Sequence, residues 1–194
     1  SSSSLLLEFS PQPPLEPLPF KPKTLKVIIE YVFDAARVKV MVSQTDDQSI
    51  GYDLYGMNFN VCLAGVAFPF NANLTSLSEK NFEAIKSSGK LFTETRLLHR
   101  EVEILILGTL PPSANASDAT PTIVAKVLHP AGDISLQLLQ NGLVKISERS
   151  LRVLPDGEII KEYRLAEEAG RDKSVGLWKE VSAGSAPVPH RNPN

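Results

Sequence analysis

The segment from Leu91 to Leu107 most strongly constrains what this chain can fold into, because its periodicity changes over very few residues. Residues 91–98 are good helix formers with apolar side chains near helical spacing. Residues 101–107 begin as a polar and apolar alternation and end as an apolar run, which is typical of a strand buried on one face and then on both. We therefore predict a helix that leads directly into a strand, and both need a core shared with β-rich segments on either side.

Strand patterns surround this segment. Residues 24–33 and 37–42 are rich in Val, Ile and aromatic residues and flank a turn at 34–36, so they predict a β-hairpin. A third strand is predicted to end before Pro69, because proline cannot donate to a continuing ladder. After the hairpin, the predicted strands are 57–66, 101–107, 122–128 and 143–146.

Three helices are predicted among these strands. The spacing of Ser76 and Glu79 is that of a capping box, so a helix is expected to begin there and to be kinked or interrupted at 87–89. Residues 134–140 predict a short helix, and residues 158–170 predict a last helix with one apolar face. This order predicts an α+β protein, namely an OB-type five-stranded β-barrel with flanking helices, rather than a doubly wound sheet.

Composition divides the chain into a central domain and two irregular ends. Residues 1–22 are rich in serine and proline and predict a disordered linker, with a ligand for an SH3-type partner as the less favoured alternative. The domain is expected to span 23–181, and the polar residues 182–194 predict a disordered tail. Within the domain, 111–121 has the composition of a mobile surface loop.

Charge and cysteine content restrict the function classes. The net charge of -2 and pI of about 5.9 give no global support for nucleic-acid binding, which would need a local basic patch. The single cysteine, Cys62, excludes a disulfide within this chain and a cysteine-based zinc site, and it favours a reducing, intracellular compartment. No apolar run approaches the roughly 20 residues that cross a bilayer, so no membrane association is expected.

Three motifs give the chain a specific resemblance to a known family. They are residues 92–98 (FTETRLL), 128–130 (LHP) and 176–178 (GLW). With their neighbours, they resemble the repeats of the Tudor staphylococcal nuclease family, whose members carry tandem nuclease-like domains and a tudor domain. The likeness covers about Lys23 to Lys179 and is closest to the second nuclease-like repeat. It implies the same OB-type barrel.

The resemblance also implies a set of catalytic positions. Active members hold Ca²⁺ with carboxylates, activate water with a glutamate and bind the phosphate with two arginines. This chain keeps Asp34 at the first hairpin, but the second arginine would fall near Thr122, after a loop without arginine. The other matched positions are degenerate: a metal carboxylate is replaced by Ala36, the first arginine by Cys62, the second metal carboxylate by Ala67 and the glutamate by Phe70.

These replacements predict that the domain alone has no nuclease activity of this type and holds no metal or other cofactor, Ca²⁺ being expected only in active family members. The resemblance implies RNA binding and scaffolding in RNA silencing, RNA processing and transcriptional coactivation. The implied partners are RNA, further nuclease-like repeats and a tudor domain in the same chain, and RNA-silencing proteins, in the cytoplasm and nucleus. Two alternatives stay open: a protein-interaction or spacer module without RNA binding, and a nuclease completed by neighbouring repeats.

Two groups of basic residues are candidates for RNA contacts. If the helix were continuous, one group would fall within a third of a helix turn, although a solvated face with salt bridges explains it equally well. That group is Lys86, Lys90, Arg96 and Arg100. The second group lies at the first hairpin, where lysines that guard a strand edge are the favoured alternative. It is Lys26, Arg37 and Lys39.

Two phenylalanines, a histidine and the cysteine are further candidate site residues. Phe68 and Phe70 are candidates for stacking on bases, with core packing as the favoured alternative. His129 is expected to be a turn residue, and Cys62 a buried small apolar residue rather than a nucleophile.

Overall fold

A long hairpin begins the ordered structure. The computed structural model describes residues 23–44, 56–110 and 122–179. Strands β1 (Lys23–Asp34) and β2 (Arg37–Gln44) pair antiparallel. Their alternating valines and isoleucines point into the core, and Val27, Ile29 and Val40 are fully buried. The predicted hairpin is confirmed.

The remaining strands close this hairpin into a barrel. In sequence order they are β3 (Asn58–Leu63), β4 (Val66–Ala67), β5 (Glu101–Leu110), β6 (Thr122–Leu128) and β7 (Lys145–Ile146). Five strands form a closed barrel in the order β1-β2-β3-β6-β5, in which only the β3–β6 pair is parallel. Strands β4 and β7 form a separate two-stranded sheet. The predicted α+β, OB-type barrel is confirmed.

Four helices flank the barrel. They are α1 (Glu79–Leu97), α2 (Ile134–Gln140), α3 (Glu148–Leu151) and α4 (Gly157–Asp172). Short 3-10 turns are formed by Ala72–Leu74 and Gly176–Trp178. Helix α1 packs on β1 and α2 packs on α4, whose Tyr163 is fully buried. None of the helices in the described ranges has the length and apolar character that a membrane span needs.

The start and the middle of α1 differ from the prediction. Its N-cap is Ser78, whose hydroxyl accepts a hydrogen bond from the Asn81 N–H at 3.3 Å, so the capping box from Ser76 is wrong. The helix also continues through 87–89. Gly89 does not interrupt it. The missing side chain lets α1 approach the turn of the first hairpin closely, since an added Cβ would lie 2.9 Å from the Ala35 Cβ.

The connection from helix to strand occurs within residues 98–100. His99 has a positive φ of 60°, and its N–H donates to the Ile29 carbonyl at 2.7 Å. The Ile29 N–H in turn donates to the Arg100 carbonyl at 3.1 Å. The helix leads directly into the strand, as the sequence predicts, and two backbone hydrogen bonds hold the link against β1. Arg100 therefore lies beyond the helix.

Three other boundaries bear on the prediction. The predicted third strand is divided into β3 and β4 at Gly65, which has a φ of 82°. Helix α3 was not predicted. The predicted linker (1–22), the loop at 111–121 and the tail (182–194) lie outside the described residues.

Candidate functional site

The turn of the first hairpin is closed by the carboxylate of Asp34. Its Oδ1 accepts a hydrogen bond from the Ala36 N–H at 2.8 Å, and its Oδ2 accepts one from Arg37 Nε at 2.7 Å. Asp34 is buried, whereas the Arg37 side chain is exposed. Both oxygens of this carboxylate are therefore engaged by the turn itself, and a charge-assisted bond holds one of them.

Helix α1 covers the same turn. The Thr93 hydroxyl donates to the Ala35 carbonyl at 2.8 Å, and Gly89 lies against Ala35. Ala36 is 1% exposed. The methyl group of Ala36 belongs to the hydrophobic core, and a longer, charged side chain at this position would have to be buried.

Cys62 lies beside the turn on the neighbouring strand. It pairs with Arg37 across β2 and β3, and it is half-buried. Burial raises the pKa of the Cys62 thiol to about 11, although the positive charges of Arg37 and Arg149 oppose the rise. The thiol is protonated at neutral pH, so it is neither a nucleophile nor a substitute for a cation that binds phosphate.

Residues 67–70 present no ligand to the turn. Ala67 is exposed and pairs with Lys145 in the small sheet. Phe68 packs against the core with its ring centroid 5.3 Å from that of Phe82, so the core-packing alternative is the one observed. Phe70 is 88% exposed, so the favoured core-packing alternative is wrong for this residue. These residues bring neither a carboxylate nor a guanidinium group to the positions considered.

The residues around this turn do not fit Ca²⁺, which takes about six to eight oxygen ligands. Asp34 supplies the carboxylate, but both of its oxygens accept hydrogen bonds. Across residues 23–44, 56–110 and 122–179, there is no group of three or more His, Cys, Asp and Glu residues that could hold a metal ion.

The basic residues of α1 do not form one continuous stripe. At about 100° per residue, the arc that holds Lys86, Lys90 and Arg96 also holds Thr93 and Leu97, which are buried. The buried row follows four-residue spacing through Ile85, Gly89, Thr93 and Leu97; Lys86 and Lys90 lie in the neighbouring row on one side, and Arg96 lies in the row on the other. The predicted arrangement as one stripe is wrong for this reason and because Arg100 lies beyond the helix, whereas RNA contacts by these residues stay a prediction.

Arg96 joins two of the sequence motifs. Its guanidinium carbon lies 3.4 Å from the Phe92 ring centroid, its Nε donates to Gln137 Oε1 at 3.3 Å, and its Nη1 donates to the Phe92 carbonyl at 3.2 Å. It also lines a small cavity of about 60 Å³ together with His129 and Gln137. The His129 Nδ1 accepts from the Ala131 N–H at 3.0 Å, which agrees with its expected role in a turn. Arg96 thus connects α1 to the segment that begins α2.

The hairpin cations lie at separate points on the outer surface of the barrel. Lys26 is half-buried and pairs with Glu103 across β1 and β5. Lys39 is half-buried and pairs with Tyr31 across β1 and β2. Arg37 forms the ion pair with Asp34. The strand-edge alternative is wrong for these three residues, because β1 and β2 are each paired on both sides there in the closed barrel. Lys39 lies next to an exposed aromatic residue.

Two exposed aromatic residues of β1 were not among the site residues predicted from the sequence. Tyr31 and Phe33 are 49% and 39% exposed, and their ring centroids are 5.1 Å apart. The sequence places both in a predicted strand and carries no signal of their exposure. The alternation breaks only in the folded strand, where Ile29 and Val32 are both buried although three positions separate them.

Comparison with known proteins assigns the family. The model for "Staphylococcal nuclease homologue" matches residues 60–180, which is more than half of the chain. The chain belongs to the staphylococcal nuclease family. The recognised family and the barrel are thereby confirmed.

Three relatives extend this assignment. Over 167 residues the nuclease-like domain is 29% identical to Staphylococcal nuclease domain-containing protein 1 of Schizosaccharomyces pombe, covering 84% of this chain and 17% of that protein. Over 94 residues it is 32% identical to the protein of the same name from Drosophila melanogaster, covering 48% and 9%. Over 111 residues it is 29% identical to Ribonuclease TUDOR 2 of Arabidopsis thaliana, covering 55% and 10%. The chain thus spans less than a fifth of the length of each relative.

Proposed function

We propose that this nuclease-like domain is a catalytically degenerate repeat that binds RNA and serves as a scaffold. The observation that carries the proposal is the hydrogen bonding and burial of the side chains at the turn of the first hairpin. The one retained carboxylate, Asp34, accepts hydrogen bonds from Ala36 and Arg37, and the next metal-ligand position is the buried Ala36. A turn of this kind offers a Ca²⁺ ion no second carboxylate, and the matched position of the base is Phe70.

RNA binding is supported by exposed cations around the barrel and by the family of the domain. Lys86 is exposed on α1, and Lys39 and Lys90 lie near the first hairpin. Small OB-type barrels use such surfaces to follow a nucleic-acid backbone. Arg96 and Arg37 are weaker candidates, because both guanidinium groups already have partners within the domain.

We infer that the domain belongs to a larger protein, because the chain matches less than a fifth of the length of each relative. By family likeness we place the domain as the second nuclease-like repeat of a protein that also carries a tudor domain. In that protein it would contribute to RNA silencing, RNA processing and transcriptional coactivation, together with RNA-silencing proteins, in the cytoplasm and nucleus. One relative is named a ribonuclease, so cleavage by other repeats of such a protein fits the proposal.

A titration with two readouts tests the proposal. Labelled single-stranded RNA is titrated with the domain at two salt concentrations, and the anisotropy is recorded. The same samples are run on a gel, with Ca²⁺ or with a chelator. We expect salt-dependent binding, with a slope of about -0.7 per phosphate contact, and intact RNA. Cleavage that requires Ca²⁺ and follows the domain through purification would contradict degeneracy.

The main alternative is a protein-interaction or spacer module. The net charge of -2 and the engagement of Arg37 and Arg96 within the domain favour it. The charge reversals Lys39→Glu and Lys86→Glu separate the two functions. Reduced RNA affinity with an unchanged melting temperature supports RNA binding, whereas the absence of binding at low salt supports the spacer. A nuclease site completed by neighbouring repeats would appear as cleavage only in a longer chain.

A further inference from the structure

An exposed aromatic pair lies on the outer surface of β1. The rings of Tyr31 and Phe33 meet edge to face, with an angle of 68° between their planes. Both side chains point outward near two irregularities in the β1–β2 register, between Ile29 and Tyr31 and between Val32 and Asp34. Such irregularities redirect side chains and are enriched at functional surfaces. Two adjacent rings that remain exposed forgo the free energy that burial would provide, so they call for an explanation.

Lysines from two other elements surround this pair. Lys90 of α1 places its Nζ 5.3 Å from the Tyr31 ring centroid. Lys39 of β2 is the cross-strand partner of Tyr31. Lys86 is exposed one helical turn before Lys90. The carboxylates close by are Glu94, whose Oε1 is 3.8 Å from Lys90 Nζ, and Glu30, which precedes Tyr31.

We infer that Tyr31 and Phe33 form a stacking platform for the bases of single-stranded RNA, whose phosphates are bound by Lys39, Lys86 and Lys90. The inference rests on the proposed RNA binding and adds the surface and the strandedness. Exposed aromatic rings beside cations are the arrangement with which OB-type surfaces hold single strands. Bases within an RNA duplex stack on each other, so they cannot offer a face to these rings.

The arrangement disfavours other occupants of the surface. A cationic ligand would be repelled by the positive charge of Lys90, whose Nζ lies 5.3 Å from the Tyr31 ring centroid. An acidic peptide could pair with the lysines, but it would not need two aromatic rings. Phosphates and bases together use both features of the surface.

Substitution of the rings tests the platform in the full 194-residue chain. The variants Tyr31→Leu and Phe33→Leu keep an apolar side chain and remove the ring. Phe70→Leu is the comparison variant, because Phe70 is 88% exposed, lies outside the pair and is the other candidate for stacking on bases, so the two surfaces are tested side by side. The probe is a labelled, uridine-rich single strand of about 12 nucleotides, within the span that one OB-fold covers. The same strand annealed to its complement is the second probe.

We expect the double variant to weaken single-strand binding roughly tenfold or more, because each stacked base contributes substantially. Phe70→Leu should change the affinity less than about twofold, and the duplex should bind more weakly than the single strand. The variant Lys90→Gln should reduce the salt slope by about 0.7. A strand containing 5-iodouridine should crosslink, on irradiation, to the tryptic peptide 27–37, which contains both rings.

The outcomes that oppose the inference are distinct. If the unsubstituted chain binds RNA but the double variant binds it equally well, the platform is wrong and the proposed function stands. If the unsubstituted chain does not bind RNA at low salt, both are wrong. Tighter binding of the duplex also overturns the platform. Loss of polyglutamate binding in the double variant, without any change in RNA affinity, identifies the surface as one for acidic proteins. If the leucine variants melt at a lower temperature, their reduced RNA affinity does not test the platform. The crosslink to peptide 27–37 and the salt slope of Lys90→Gln then test it, and the absence of both effects overturns it.

Discussion

Arg37 Nε lies 2.7 Å from Asp34 Oδ2, and this ion pair spans the turn between β1 and β2. In the staphylococcal nuclease family, this turn carries metal ligands in active members, according to the resemblance in sequence. In this chain the Asp34 carboxylate stabilises the hairpin turn, and Ala36 belongs to the hydrophobic core. A carboxylate introduced at Ala36 would have to be buried, which makes this substitution a sharp test of the proposed degeneracy.

The substitution Ala36→Asp should destabilise the domain without restoring cleavage. Ala36 is almost fully buried, so a carboxylate there loses its hydration, and we expect the free energy of unfolding to fall by about 2 kcal/mol. Ala67→Asp is the matched control, since Ala67 is exposed and should tolerate the charge within about 0.5 kcal/mol. Urea denaturation and an RNA cleavage assay with Ca²⁺ measure both effects. Ca²⁺-dependent cleavage by Ala36→Asp would show that the site is not degenerate beyond one residue.

The substitution Gly89→Ala should be destabilising, although alanine is the better helix former. The added Cβ would lie 2.9 Å from the Ala35 Cβ, and relief requires α1 to move away from the hairpin. We expect a net loss of about 1 kcal/mol in the free energy of unfolding, because an overpacking cost of about 2 kcal/mol outweighs the helix-propensity gain of about 1 kcal/mol. In the control, Gly157→Ala, the new Cβ meets nothing within 4 Å, and stability should not fall. A Gly89→Ala variant more stable than the parent would refute the close-packing argument.

Cys62 should be unreactive at neutral pH and should make stability depend on pH under alkaline conditions. Its pKa is about 11 in the folded state, compared with about 8.5 for an unfolded thiol, so the folded state holds the proton more tightly. Its contribution is therefore fully present below pH about 8.5 and is lost as the pH rises towards 11. The difference in unfolding free energy between the parent and Cys62→Ser should follow this course. A thiol that iodoacetamide modifies rapidly at pH 7 would contradict the assignment.

The substitution Arg96→Lys should lower stability and leave RNA affinity unchanged. Lysine cannot make the stacked contact with Phe92 and the hydrogen bond to Gln137 at the same time, so we expect a loss of about 1 kcal/mol. Lys86→Gln should show the reverse pattern, because Lys86 is exposed. Thermal melting and RNA anisotropy of the two variants separate the roles. Weaker RNA binding by Arg96→Lys, with an unchanged melting temperature, would show that Arg96 contributes to RNA binding.

The fold was largely predictable because its signals are local. Alternating Val and Ile residues predicted β1 and β2, and the change of period after Leu98 predicted α1 followed by β5. The proposed loss of catalytic groups was predicted from residue identity alone, since alanine and phenylalanine cannot coordinate Ca²⁺ wherever they lie. The predictions were wrong where tertiary packing overrides local propensity. Gly89 suggested an interruption of α1, but it is a point of close contact with Ala35.

By itself, the sequence determined the barrel, the family and the chemical types at the matched catalytic positions, because periodicity and residue identity are properties of the chain. The tertiary structure decided which side chains share a surface. A buried row that contains Thr93 and Leu97 separates the basic residues that were predicted to form one stripe, and Arg96 donates a hydrogen bond to Gln137. The tertiary structure also brought Lys90 to Tyr31, two residues almost sixty positions apart. The register irregularity that exposes Tyr31 depends on pairing with β2, so only the folded barrel could reveal it.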